Sequence, residues 1–389
     1  MSQAHETALV LSGGGAYGAF SVGVMKVLFA GRCPSNGYQS LEAGIFTGTS
    51  VGAFNAAVMA GHPKESSLET AFRLEKIWLD QISERAGGCG NGIFRLRNNP
   101  LEYTDPGCLG KPPQWAGRLF DDMLATGNYL MSRTANFLAS SRPLIDRLLS
   151  SVNIGSFVDT QPFRDLLQQV IDEQAIRESP KKLEVIATNW VSGEVKRFHN
   201  PDFHSGQGIV GITASAAIPG VFPPVAVVED VCVDGGVVDN TPVGSAIGLG
   251  ASDLHVIYLI PIPSVIPLQR PPATVDTMLR VYFLMLASIV DDDIETARWI
   301  NAGKQAALQR MSAPDAEEFL NTIGRILGRI DLRASRIVNI HRYLPNQPLG
   351  GDLGMLDFSR DHIARRIEEG EQVALLHDCE VSRCVLAKE

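Results

Sequence analysis

Gly44-Ile45-Phe46-Thr47-Gly48-Thr49-Ser50-Val51-Gly52-Ala53-Phe54-Asn55-Ala56-Ala57-Val58-Met59-Ala60-Gly61 reads as strand, corner and helix without a break. Gly44 to Thr47 predicts a short buried strand. Val51 to Ala60 predicts a helix, closed by Gly61. Its small residues (Gly52, Ala53, Ala56, Ala57, Ala60) let that helix press closely onto a sheet. Between the two lies Gly48-Thr49-Ser50-Val51-Gly52. A Gly-x-Ser-x-Gly corner between strand and helix projects the serine hydroxyl from a strained turn, and the helix N-terminus beside it favours negative charge. Alone the motif is weak, because glycine is common; its place between strand and helix gives it weight.

The same arrangement occurs once more upstream. Ala8 to Leu11 predicts a strand, Ala19 to Ala30 a helix stopped by Gly31, and Gly13-Gly14-Gly15-Ala16-Tyr17-Gly18 the turn between them. Buried strands alternating with helices indicate a mostly parallel sheet in an α/β architecture with three layers, α/β/α. A triple-glycine turn offers backbone N–H groups to a developing oxyanion. The competing reading is a nucleotide loop. Gly13, Gly15 and Gly18 fit Gly-x-Gly-x-x-Gly, but a dinucleotide site wants an acidic residue about 20 positions on. There the chain has Gly31-Arg32-Cys33-Pro34, and Glu42 follows only after a polar loop. The Gly-Lys-Ser/Thr ending of a P-loop is missing, so an anion or oxyanion nest is the better reading.

The chain of 389 residues is 45% hydrophobic and 20% charged, ordinary for a globular protein of one large domain or two smaller ones. A net charge of −9 argues against nucleic acid as main partner. Six cysteines (Cys33, Cys89, Cys108, Cys232, Cys379, Cys384) show no Cys-x-x-Cys spacing and no metal-ligand motif. Neither a metal nor a cofactor is therefore expected. Reduced thiols are the plain expectation, although Cys89 and Cys108 share a Gly/Pro-rich stretch in which a pairing stays open. The first residues lack the basic region of a signal peptide, and no apolar run reaches the length of a membrane span. The expectation is a cytoplasmic protein, with export without a cleavable signal left open.

Farther along, Leu183–Asn189 and Glu194–Phe198 predict a hairpin around Ser192-Gly193, and Leu254–Ile260 a buried strand. Ala86 to Gln114, dense in Gly, Pro and Asn, predicts a surface excursion. Thr274 to Met311 predicts helix with an acidic break at Asp291-Asp292-Asp293. Arg336–Ile340 predicts a late strand and Asp361–Leu376 a closing amphipathic helix.

A serine nucleophile needs a base. The chain has eight histidines, at 5, 62, 199, 204, 255, 341, 362 and 377, and none lies in a glycine-flanked loop. His255, inside an apolar strand, reads as core; His341 and His362 stay as outside candidates. Val231-Cys232-Val233-Asp234-Gly235-Gly236 sets a carboxylate at a strand end before two glycines that permit close approach. On these residues alone, a plain hairpin turn is the better reading of Asp234-Gly235.

Taken together, the motifs resemble the patatin-like phospholipases. In order they are Gly13 to Gly18, Gly48 to Gly52, Ala214-Ser215-Ala216-Ala217-Ile218-Pro219, and Asp234-Gly235-Gly236 followed by Asn240 and Pro242. Weaker matches are Asp159 to Phe163 and Ala187 to Glu194. The resemblance covers about Ala8 to Pro242. It implies an acyl hydrolase domain over 8–244 with a poorly matched insertion at about 81–158, and a strand and helical C-terminal extension over 245–389 on the same core. It also implies a Ser–Asp dyad: Ser50 as nucleophile, Asp234 as base, and Gly13, Gly14 and Gly15 as oxyanion donors. Gly18, Gly48, Gly52, Gly235 and Gly236 would support the loops. The implied substrate is a lipid or other ester, met at a membrane or micelle surface. One departure is Tyr17, where the family often has arginine. Two alternatives remain at this level: a Ser-Asp-His hydrolase or acyltransferase, and a non-catalytic scaffold of the same fold. For the acyl chain, Val221, Phe222, Val225 and Val281-Tyr282-Phe283-Leu284-Met285-Leu286 are candidate trough residues.

Overall fold

The computed structural model describes residues 6–84, 90–97, 119–128, 130–131, 158–260, 274–312, 314–316, 318–319, 322, 337–347, 349 and 354–386. Its strands are β1 (Glu6–Leu11), β2 (Ile45–Thr49), β3 (Arg95–Leu96), β4 (Val158–Asp159), β5 (Lys182–Asn189), β6 (Val195–His199), β7 (Val225–Val227), β8 (Asp230–Asp234), β9 (Ala251–Ile257) and β10 (Asn339–Tyr343). The helices named below are α1 (Gly18–Phe29), α2 (Val51–Ala60), α3 (Ser67–Ile77), α4 (Gln161–Val170), α5 (Glu173–Arg177), α6 (Gln207–Ser215), α7 (Val243–Gly248), α8 (Thr274–Arg310) and α9 (Arg360–Leu375).

Eight strands form one sheet in the order β10-β9-β1-β2-β5-β8-β7, with β6 also on β5. β10, β9, β1, β2 and β5 run parallel; β6, β7 and β8 pair antiparallel. β1 explains why the sheet is covered on both faces. Leu9 and Leu11 enter a core shared with α1, α2, α3 and α9, whereas Ala8 and Val10 enter a second core with Val243, Ala246 and Ile247 of α7 and Ile294 of α8. All four are fully buried. Each leucine so placed contributes about 1.5–3 kcal/mol of burial, and both faces being apolar requires helices on both sides. The three-layer α/β/α reading is therefore correct. The hairpin is also present, with Val185 opposite Phe198.

Ile363, Ile367 and Val373 of α9 lie in the first core. β9 lies between β1 and β10 in the same sheet. α9 packs along α1, where the buried Lys26 ammonium meets Glu75 of α3 at 2.7 Å and Glu371 of α9 at 2.5 Å.

Three expectations change. Asp291-Asp292-Asp293 does not break a helix: α8 runs through it from Thr274 to Arg310. The late strand is Asn339–Tyr343, farther on than the pattern suggested. Asp234-Gly235 is not a hairpin turn, because β8 ends there in a single 3-10 turn, Gly235–Val237. Most of the expected excursion at 86–114, with Cys89 and Cys108, lies outside the described residues.

Candidate active site

The corner at Ser50 is built by β2 ending at Thr49 and α2 beginning at Val51. Ser50 itself has φ 55° and ψ −125°. That is a strained backbone for a residue with a side chain, of the kind held only where the surroundings over-determine it. Here the surroundings are tight. A side chain on Gly52 would run into the Leu11 carbonyl, and one on Gly48 into the backbone of Gly52. Glycine is required at both positions for β1, β2 and α2 to meet. The Ser50 N–H, which the sharp turn takes out of any ladder, donates to Ser215 Oγ at 2.8 Å. Ser215 at the end of α6 in turn donates to the Ile186 carbonyl of β5. The serine of the Ala-Ser-Ala-Ala-Ile-Pro motif thus ties the corner to the central strand.

Asp234 reaches the same corner from another strand. β2 pairs with β5 up to Thr49 opposite Ile186. β8 takes up that edge at the next residue, with Asp234 opposite Ala187. β6 occupies the other edge of β5. The two strand ends therefore meet along β5, and Ser50 and Asp234 leave it side by side. Asp234 is fully buried and Ser50 is 4% exposed. Asp234 Oδ1 accepts from the Gly236 N–H at 2.8 Å, and Oδ2 accepts no hydrogen bond of regular geometry. Burial pushes the Asp234 carboxyl up to about 6; the nearby Ser50 hydroxyl, the Gly236 N–H and the Tyr282 hydroxyl act to lower it. Burial, and then the Asp234 charge, hold the Tyr282 phenol well above its ordinary range.

The glycine turn packs against this pair. A side chain on Gly13 would lie 3.0 Å from Ser50 Cβ. The Gly13 N–H donates to the Asn240 carbonyl at 3.2 Å, while those of Gly14 and Gly15 donate to no group among the described residues. Farther along the turn, the Ala16 N–H donates to the Met355 carbonyl at 2.8 Å. Where arginine was expected the chain has Tyr17, buried, with the Arg366 guanidinium of α9 over its ring at 5.0 Å. Arg366 is 4% exposed and donates to the carbonyls of Asp357 (2.7 Å), Gly354 (3.0 Å), Leu349 (3.2 Å) and Ala16 (3.4 Å). The cation that braces the glycine turn comes from the C-terminal helix.

Beside Ser50 opens an apolar pocket with an empty volume of about 660 Å³, counting its open mouth. Its walls include Phe54, Phe163, Phe222, Val225, Met355 and Phe358. Phe222 and Val225 line it as expected, but Val221 does not, and neither does the stretch 281–286. α8 instead turns Tyr282, Phe283 and Leu286 into the core and leaves Val281 and Leu284 exposed.

The histidines fall elsewhere. His255 is buried in β9, donating to or accepting from the Tyr343 hydroxyl at 2.8 Å. His341 sits on β10, the edge strand three places from β2. His362 pairs with Asp357 at the start of α9. None of them partners Ser50 or Asp234.

A sequence model of the patatin-like phospholipase family matches residues 9–247. The chain belongs to that family. Its members are lipid acyl hydrolases by type, and the match takes in the Ser50 corner, the glycine turn and Asp234. Among solved structures, VipD from Legionella pneumophila aligns over 95% of this patatin-like chain and 67% of its own length, at 13% identity and a TM-score of 0.34. Among the described residues no helix is long and apolar enough to cross a membrane.

Ser215 and Asn240 entered the sequence reading only as motif letters, and their bonds were not readable there. Tyr282 lay in an apolar run and read as pocket wall. Arg366 had no signal, since one arginine in an amphipathic helix reads as surface.

Proposed function

We propose that this patatin-like protein hydrolyses carboxylic esters of lipids through a Ser50–Asp234 dyad. The observation that carries the reading is the shared edge of β5, which sets a strained serine beside a fully buried carboxylate. An ordinary aspartate is a weak base at neutral pH; one raised to about 6 is near the optimum for general-base work.

Asp234 takes the Ser50 hydroxyl proton as Oγ attacks the ester carbonyl carbon. The carbonyl oxygen becomes an oxyanion and accepts hydrogen bonds from the N–H groups of the 13–15 turn, of which those of Gly14 and Gly15 are uncommitted among the described residues. The intermediate collapses, the C–O bond breaks, and the leaving alkoxide takes the proton from Asp234. Water then attacks the acyl–Ser50 ester, giving its proton to Asp234, which returns it to Ser50 Oγ as the fatty acid leaves. One oxyanion donor is typically worth about 10²–10³ in turnover. The pocket beside Ser50 takes the acyl chain, and the Tyr282 hydroxyl holds the pKa of the base down.

The test is a panel of phospholipid, lysophospholipid and simple acyl esters, assayed with wild type and Ser50→Ala side by side. Hydrolysis by wild type and none by the variant supports the reading. A folded Ser50→Ala protein with wild-type turnover rejects it.

A further inference from the structure

We propose that His341, His377, Cys379 and Cys384 form a closed structural zinc site that pins the C-terminal segment onto the edge of the sheet. This site stands apart from the hydrolase reading and needs none of its residues.

Four donors converge from two elements far apart in sequence. His341 points from β10, and the other three come from the loop after α9. Their ligand atoms all lie within 4.8 Å of one another. Cys379 Sγ is 3.4 Å from His341 Nδ1 and 3.5 Å from His377 Nε2, and Cys384 Sγ is 3.5 Å from His377 Nε2. A tetrahedral ion with zinc–sulfur bonds of about 2.3 Å and zinc–nitrogen bonds of 2.0–2.1 Å needs sulfur–nitrogen edges of about 3.6 Å. Three of the four sulfur–nitrogen edges, at 3.4, 3.5 and 3.5 Å, match that figure, and all four ligand atoms stay within 4.8 Å of one another. Two thiols with two imidazoles suit zinc and not the hard, oxygen-seeking cations. Neither cysteine is in a disulfide.

The surroundings are those of a metal site as well. His341 Nε2, the nitrogen turned away from the sulfurs, is 3.6 Å from Asp253 Oδ1. The carboxylate stands behind this imidazole beyond hydrogen-bond length, where its charge favours a proton on Nε2 and leaves Nδ1 for the ion. The Arg342 N–H donates to Cys384 Sγ at 3.3 Å, as backbone amides do to metal-bound sulfur. The His255 ring stacks on His341 at 4.9 Å and Tyr343 packs on His377 at 4.6 Å, so both imidazoles are held in orientation.

Four protein ligands leave no open position, which makes the site structural and not catalytic. Its consequence is architectural. Leu376 and Val381 of the loop are 76% and 82% exposed, and its apolar holding comes from Val385, buried in the second core. The loop brings Val385 to pair with Ile340, covering the free edge of β10. No Cys-x-x-Cys pair marks these ligands in the sequence; Cys379 and Cys384 stand with four residues between them, and the fourth ligand lies on a distant strand.

The test is metal analysis of the full chain kept reduced, followed by replacement of the ion with Co²⁺. The expected result is one zinc per chain and, with cobalt, the intense visible bands of a tetrahedral site plus thiolate-to-cobalt charge transfer. Cys379→Ala and Cys384→Ala lose the ion; Asp253→Asn weakens binding about 10–100-fold. Cys384→His, which keeps a ligand, retains an ion and shifts the cobalt spectrum. Should the alanine variants fail to fold, the wild-type cobalt spectrum decides alone. Reduced, folded wild type that carries no zinc and takes up none from added zinc chloride overturns the proposal. So does a Cys379–Cys384 disulfide in the protein as isolated that reduction does not convert to a zinc-binding form.

Discussion

Thr49 faces Ile186 and Asp234 faces Ala187, so the strand that delivers Ser50 and the strand that ends in Asp234 share one edge of β5, one residue apart. The proximity of hydroxyl and carboxylate is thus fixed by backbone pairing and not by loop conformation. Ser50→Ala and Asp234→Asn should each lower kcat by about 10⁴-fold or more, the scale of removing a nucleophile or its obligatory base. Circular dichroism should show both variants folded.

The buried carboxyl predicts a pH profile. Asp234 acts as a base only when ionised, so kcat/KM should fall tenfold per pH unit below about 6. Tyr282→Phe removes one interaction that holds this pKa down, so its acid limb should move to higher pH. A profile flat from pH 5 to 8 would contradict the assignment of Asp234 as base.

The same group has a stability sign. Its folded pKa lies above its unfolded value of 3.8, so between about 4 and 6 the folded state holds the extra proton and stability falls as pH rises. Above 6 the ionised, buried group costs on the order of 3 kcal/mol. Asp234→Asn removes that cost, and its Tm at pH 8 should equal or exceed that of wild type while its activity is lost. Calorimetry at pH 4 and pH 8 checks the sign: the advantage of the variant should shrink at the lower pH.

Arg366 bridges four backbone carbonyls, including that of Ala16 in the glycine turn. Arg366→Met leaves buried acceptors without a donor and should lower stability by about 3 kcal/mol or more. Because the oxyanion turn loosens, kcat should drop about 10–100-fold with little change in KM. Arg366→Lys, which lacks the planar fork, should recover only part of either.

The pocket wall predicts chain-length selectivity. Ala216 lines the pocket near Ser50. Ala216→Phe should abolish turnover of long-chain esters and spare acetyl or butyryl esters. His362→Ala should leave both activities within about twofold, since its imidazole pairs with Asp357 and not with the dyad; loss of activity there would favour a triad.

The Ser50 corner was readable because it is local: strand, strained serine, small-residue helix and flanking glycines lie within one short stretch. Asp234 was readable only through the motif after it, because its register against β5 is a long-range fact. The bracing of the glycine turn was not readable, since Arg366 and Tyr17 meet only when α9 docks on α1. α8 was misread at Asp291-Asp292-Asp293, where aspartate's helix penalty is a few tenths of a kcal/mol per residue and packing on either side outweighs it. Of the proposed zinc ligands, His377, Cys379 and Cys384 lie within one short stretch, and only the fold adds His341 from β10.

The dyad is tested most directly by intact-mass and peptide-level mass spectrometry after reaction with a fluorophosphonate at pH 8. The account predicts a single adduct on Ser50 in wild type, and a rate of labelling reduced at least 100-fold in Asp234→Asn. An adduct on any other serine, or equal labelling of Ser50 in the folded variant, would contradict it.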